Sequence, residues 1–121
     1  MCLCAVNCRY PKDKGPSGHG WKIFHKVGDK FVSPYFHKNT AYEIKTWYTS
    51  SNGLARCSSS GKVSKLRYKT GFHLFQTRKA AREWCSLAEF SVRKVLYKDA
   101  VVQGIQGGDF VIVAKKMKIV E

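Results

Sequence analysis

The chain has 121 residues, 44% of them hydrophobic and 13% aromatic, which suits one globular domain and excludes a disordered chain. Twenty-two Lys and Arg against eight Asp and Glu leave a formal charge of +14, a field that draws in polyanions. No apolar run reaches the roughly 18 residues of a membrane span, and the start MCLCAVNCRY lacks the basic and apolar segments of a secretory signal. A cytoplasmic protein with no membrane partner is therefore expected.

In chain order the first feature is a cysteine cluster. Five cysteines are an odd number and rule out a complete intramolecular disulfide framework. Cys2, Cys4 and Cys8, with His19 further on, offer the thiolates and imidazole that zinc prefers. The spacing is not that of a zinc knuckle. On a strand the three thiols share one face, where they would equally pack into a core. Zinc and core packing are both open here, and no other cofactor is implied.

"YPKDKGPSGHG" is a loop by its Pro and Gly content. "WKIFHKVGDKFVSPYF" reads as a hairpin with Trp21, Ile23 and His25 on one face, a turn at Gly28-Asp29, and Pro34 marking an edge. "AYEIKTWYTS" reads as one strand, with Tyr42, Ile44, Thr46 and Tyr48 on one side and Trp47 on the other. The Ser- and Gly-rich stretch at about 50–62 reads as a mobile loop. It is not a phosphate-binding P-loop, because Arg56 and Val63 stand where that motif needs Gly and Ser or Thr.

"KLRYKTGFHLF" gives one strand or two short ones, after which Thr77 can cap a helix from Arg78 to about Ala88. Ala81, Trp84, Cys85 and Ala88 form its apolar stripe. "FSVRKVLYKDAVVQGIQ", Gly107-Gly108 and "DFVIVAKKMKIV" make a hairpin. The expectation is a single α+β domain over residues 1–121: a mostly antiparallel sheet with one main helix packed on it.

Arg78 and Lys79 open the helix and Arg82 follows one turn later. Cations at that pole oppose the helix dipole by roughly 0.3–1 kcal/mol each, and a bound anion would reverse the sign. Lys65, Arg67 and Lys69 alternate and share a face. A phosphate pocket of Arg67, Lys69, His73, Thr77, Arg78 and Arg82 follows; a solvated basic surface uses the same residues. Trp47, Tyr48 and Tyr68 beside Lys45 and Lys69 are candidates for stacking bases, as are Trp21 and Tyr35 beside Lys22 and Lys38, although aromatics at strand spacing also build cores. No Ser/His/Asp set or carboxylate pair stands out, so catalysis is not expected.

The strings "GFHLFQTRKAAREW" and "VRKVLYKDAVVQGIQGGDFVIVAKKMKIV" resemble small uncharacterised proteins of phages, bacteria and large DNA viruses. Met1 to Leu3, Gly20 to Phe24, Gly71 to Phe75 and Ala114 to Ile119 carry the resemblance. It implies a viral or phage accessory protein and brings no functional residues with it. "GFHLFQT" with Ala81 and Trp84 is also similar, more faintly, to ADP-ribosyltransferase-like folds. Those enzymes need a late catalytic Glu, and after Glu89 this chain has none before Glu121. The expected function is thus a non-enzymatic basic accessory protein that binds phosphate-bearing ligands. The ligand would be nucleic acid or a small nucleotide, the latter for sequestering a host defence signal. The alternatives are an ADP-ribosyltransferase-like nucleotide binder and a virion or host-inhibitor protein docked on an acidic protein surface.

Overall fold

Apolar residues at every second position dominate the chain, and the computed structural model turns them into strands. It describes residues 3, 5–11, 14–32, 41–50, 54–59, 62–84 and 90–120, with the backbone only within 55–66. The elements are β1 (Ala5–Arg9), β2 (Gly18–Val27), β3 (Lys30–Val32), β4 (Ala41–Tyr42), β5 (Trp47–Thr49), β6 (Leu54–Ser59), β7 (Lys62–Lys69), β8 (Phe72–Phe75), α1 (Arg78–Trp84), β9 (Phe90–Gln106) and β10 (Asp109–Ile119). The architecture is α+β and strongly sheet-dominated, with a single short helix among the described residues. No helix among them is long and apolar enough to cross a membrane.

One sheet runs β1-β9-β10-β8-β2-β3-β4, with β5 on β10 and a further pairing of β9 with β2. That last pairing closes the circuit β9-β10-β8-β2, so the sheet curls back on itself. All its strand ladders are antiparallel. Strands β6 and β7 form a separate two-stranded ribbon.

The curl originates in β9. Its first half pairs with β2, from His25 opposite Phe90 to Gly18 opposite Tyr97; its second half pairs with β1. Between the halves Asp99 takes the left-handed conformation at φ 57°, and the β10 register slips by one residue between Val113 and Ala114. Val101 is the extra residue, so Ala100, Val101 and Val102 are buried in succession instead of alternating. Such a bulge bends a strand and sharpens its twist.

Apolar side chains fill both faces of the curled sheet. Ile23, Phe75, Val111 and Val113 pack on one face with Leu3, Tyr68 and the helix residues Ala80 and Ala81. Phe24, Phe72, Leu74, Val95, Ile112, Ala114, Met117 and Ile119 fill the other with Phe31 and Tyr42. The β9–β10 turn needs left-handed backbone twice, and Gly107 (φ 58°) and Gly108 (φ 88°) supply it without a Cβ penalty.

Several expectations hold locally. Thr77 caps α1, its Oγ1 accepting from the Ala80 amide at 3.1 Å. Gly28-Asp29 forms the turn between β2 and β3. Others change. Residues 41–50 are two short strands, because β4 pairs with β3 whereas β5 pairs with β10. The chain crosses between those edges through Lys45, at φ 65°. Within the stretch read as a loop, residues 54–59 form strand β6, whose backbone ladder with β7 overrides the Ser-rich composition. Cys2, Cys4, Pro34, Tyr35, Lys38, Cys85 and Ala88, and the side chains of Cys57 and Lys65, lie outside the described residues.

Candidate functional site

The six residues expected to form a phosphate pocket do not converge. Arg67 and Lys69 lie before β8, and Thr77, Arg78 and Arg82 lie after it. Four residues of strand separate the two groups by about 13 Å. His73, in the middle, points into the apolar core and is 7% exposed. Arg67 presents its backbone carbonyl to the Arg9 guanidinium at 2.6 Å. Arg78 lies over the Trp21 ring, 5.7 Å from its centroid, while Arg82 is exposed to solvent.

His73 is part of a buried hydrogen-bonded chain whose directions follow from its ends. Its Nδ1 lies 3.2 Å from the Gly71 carbonyl, which only accepts, so Nδ1 carries the proton. Nε2 is then an acceptor, and the Tyr68 hydroxyl donates to it at 2.9 Å. The Tyr68 oxygen in turn accepts from the Leu3 amide at 3.1 Å. Burial, reinforced by the positive charge of Lys22, lowers the His73 pKa to about 3, so the ring stays neutral. Tyr68 is fully buried and therefore unavailable for stacking a base, contrary to the reading from sequence.

Lys22 is a second buried group. Its ammonium donates to the His73 carbonyl at 3.2 Å, and burial lowers its pKa to about 8. Tyr48 is half-buried, edge-on against Tyr42 at 4.8 Å, with its hydroxyl accepting from the Glu43 amide at 2.7 Å. It too serves the scaffold.

Trp47 differs: it is 36% exposed, on the outer side of the sheet. The register shows what surrounds it. Thr49, Lys116 and Lys98 lie side by side across β5, β10 and β9. The next row is Trp47, Lys118 and Leu96, continuing to His19 on β2. One step further along the same face of β9 is Lys94, paired with Trp21. The Lys98 ammonium reaches diagonally over Trp47, 4.2 Å from the ring centroid, and that of Lys118 lies 5.1 Å from it. Lys45, two residues before Trp47, is exposed, its amide donating to the Ile119 carbonyl at 2.7 Å. The one ion pair on this face among the described residues joins Lys116 to Asp99 at 3.7 Å.

Like charges directly opposite across a ladder destabilise a sheet, and Lys98 faces Lys116 in that way. Surface cation–π contacts return about 0.5–1 kcal/mol each. The face is thus a concentration of cations around one accessible aromatic ring, assembled from strands far apart in sequence.

Comparison with protein-family models, curated proteins and solved structures finds no match. Chemistry on this face therefore carries the functional argument.

The cysteine reading changes as well. Cys8 is exposed, not packed in a core. It pairs with Gln103 of β9, whereas His19 pairs with Leu96, some seven positions along the same strand. Along the strand that places their backbones on the order of 20 Å apart, so the structure does not bring Cys8 and His19 together. Cys2 and Cys4 lie outside the described residues.

Proposed function

We propose that the protein binds phosphate-bearing polyanions, nucleic acid foremost, on the outer face formed by β5, β10 and β9. The observation that carries the reading is the juxtaposition of Lys98 and Lys116 with Lys118 in the adjoining row and Lys94 beyond. A polyanion turns their mutual repulsion into attraction, and displaced counterions add a salt-dependent gain. The cations spread across strands and along them, from Lys94 to Lys98 over about 13 Å, a strip better matched to a chain of phosphates than to one. Binding of this kind suits an accessory protein of viral or phage type, the origin that the sequence resemblance implies.

The test is fluorescence anisotropy with labelled oligonucleotides over a salt series. Neutralising about four phosphates should give a slope of log affinity against log salt near −3 on single strands. Lys98→Ala/Lys118→Ala should flatten that slope by about 1.4, half of it, because two of the four contacts are lost. Arg67→Ala/Arg82→Ala, away from the face, should leave it nearly unchanged. Absence of oligonucleotide binding at low salt would overturn the reading and favour an acidic protein surface as the partner. A loss confined to the second double variant would return the site to the region around α1.

A further inference from the structure

The lysines of this face explain attraction to phosphate, but they do not explain Trp47. An indole is the largest flat apolar group available to a protein, and here it sits on the solvent side of a three-residue strand, ringed by ammonium groups. The backbone leading to it carries a cost too. Lys45 holds the left-handed conformation at φ 65°, where Gly or Asn would sit with less strain. An exposed cation thus stands two residues before the ring, at a position that favours another residue type.

We propose that this face takes single-stranded nucleic acid, with a base stacked on Trp47 and the flanking phosphates held by Lys98, Lys118 and Lys45. The inference rests on the polyanion reading above. Lys98 and Lys118 lie over the ring only through long flexible side chains, so an incoming base displaces them from its face. Each ammonium then needs to move only a few ångströms to meet the phosphates on either side of that base. The ring exchanges two cations for a π-face, and the cations exchange a weak quadrupole for full negative charges.

A duplex would not use the ring in this way. Its bases are stacked on one another, and it offers a protein only groove edges and phosphates. Every unpaired base has a free π-face, so stacking on an aromatic tolerates any sequence. The strip also leads onward from Trp47. Leu96 lies between Lys118 and His19, and Lys94 is paired with Trp21, over which Arg78 rests at 5.7 Å. The strand would run across β5, β10, β9 and β2 towards the start of α1, so that Arg78 is the one member of the expected helix-start cluster to join the site.

The experiment compares single-stranded DNA, single-stranded RNA, a duplex of equal charge and a base-free phosphodiester chain, each about 12 nucleotides long, at one salt concentration. Trp47→Ala should weaken both single strands by roughly 5- to 150-fold, and the duplex by less than about 2-fold. Trp47→Phe keeps an aromatic face and should recover most of the loss. On the unaltered protein the base-free chain should bind more weakly than either single strand, by roughly the same 5- to 150-fold, a comparison independent of any variant's folding. Equal losses on duplex and single strand would overturn the single-strand inference. So would equal affinity for the base-free chain. In both cases salt-sensitive binding would leave the polyanion reading standing. No binding of any of the four would remove both.

Discussion

Lys22 gives a stability prediction that can be worked through in numbers. Its ammonium is buried in the sheet with one described hydrogen bond, to the His73 carbonyl, and burial lowers its pKa from 10.5 to about 8. At about 1.4 kcal/mol per pH unit, that difference is a cost of about 3 kcal/mol whenever both states carry the charge. Lys22→Met keeps the length and apolar stem and removes the charge. The lost hydrogen bond offsets about 1 kcal/mol, so a net gain of about 2 kcal/mol is expected at pH 7. For a chain of this length that raises the melting temperature by roughly 8 °C. The pH dependence has a definite sign. Between pH 8 and 10.5 the unfolded chain holds the proton that the native state has lost, so the unaltered protein gains stability as pH rises. The variant lacks that rise, and its advantage should fade towards pH 10.5. Urea unfolding followed by circular dichroism at pH 7 and pH 10 measures both quantities. A variant less stable than the parent at pH 7, or one with the same advantage at both pH values, would refute the reasoning.

Three further outcomes are expected. Tyr68→Phe removes the hydroxyl that joins the Leu3 amide to His73 Nε2, leaving two buried polar groups unpaired; a loss of about 2–4 kcal/mol should appear in urea unfolding. His73 is held neutral down to about pH 3, whereas an unfolded histidine takes a proton near 6.5, so stability should fall as pH drops between those values, by up to about 5 kcal/mol. In His73→Gln, which cannot titrate, melting temperatures measured from pH 7 to pH 4 should show a shallower decline. Gly104→Ala would drive a methyl group against the Ala5 carbonyl oxygen and place it 2.8 Å from a Leu3 methyl. The backbone contact cannot yield easily, so about 1–3 kcal/mol of destabilisation is expected, measured by the same melts.

The elements most legible in the sequence were those decided locally. Alternation marks β2 and the β9–β10 hairpin, Gly107-Gly108 marks its turn, and Thr77 marks the helix start. The break at Lys45 was hidden, because 41–50 alternates well and only the positions of the sheet edges divide it. Strand β6 was hidden by Ser-rich composition, which says nothing about a ladder with β7. Alternation could not show that His73 points into the core, since both faces of its strand are buried. Trp47 was recognisable as an aromatic beside a lysine. Its real neighbours, Lys98 and Lys118, come from β9 and β10 and meet it only through tertiary register. The lysine alternation at 116 and 118 was the available signal, and it gains meaning once the third strand is known.

The length and bend of β9 have a consequence for how the chain reaches this fold. The partners of β9 in β1 and β2 lie 65 to 100 residues earlier, from His25 opposite Phe90 to Ala5 opposite Ile105. Before those ladders can form, loops of that size must close, and their entropy is lost before any contact rewards it. Among the described ladders of the main sheet, the hairpin of β9 with β10, joined by two residues, is the large one with a short closure. It is the natural nucleus, with β1 and β2 condensing on its outer edge afterwards. Folding on the millisecond-to-second scale is therefore in character. Until β9 is in place, β2 has an unmatched edge, and chaperone dependence or aggregation would be concentrated in that interval.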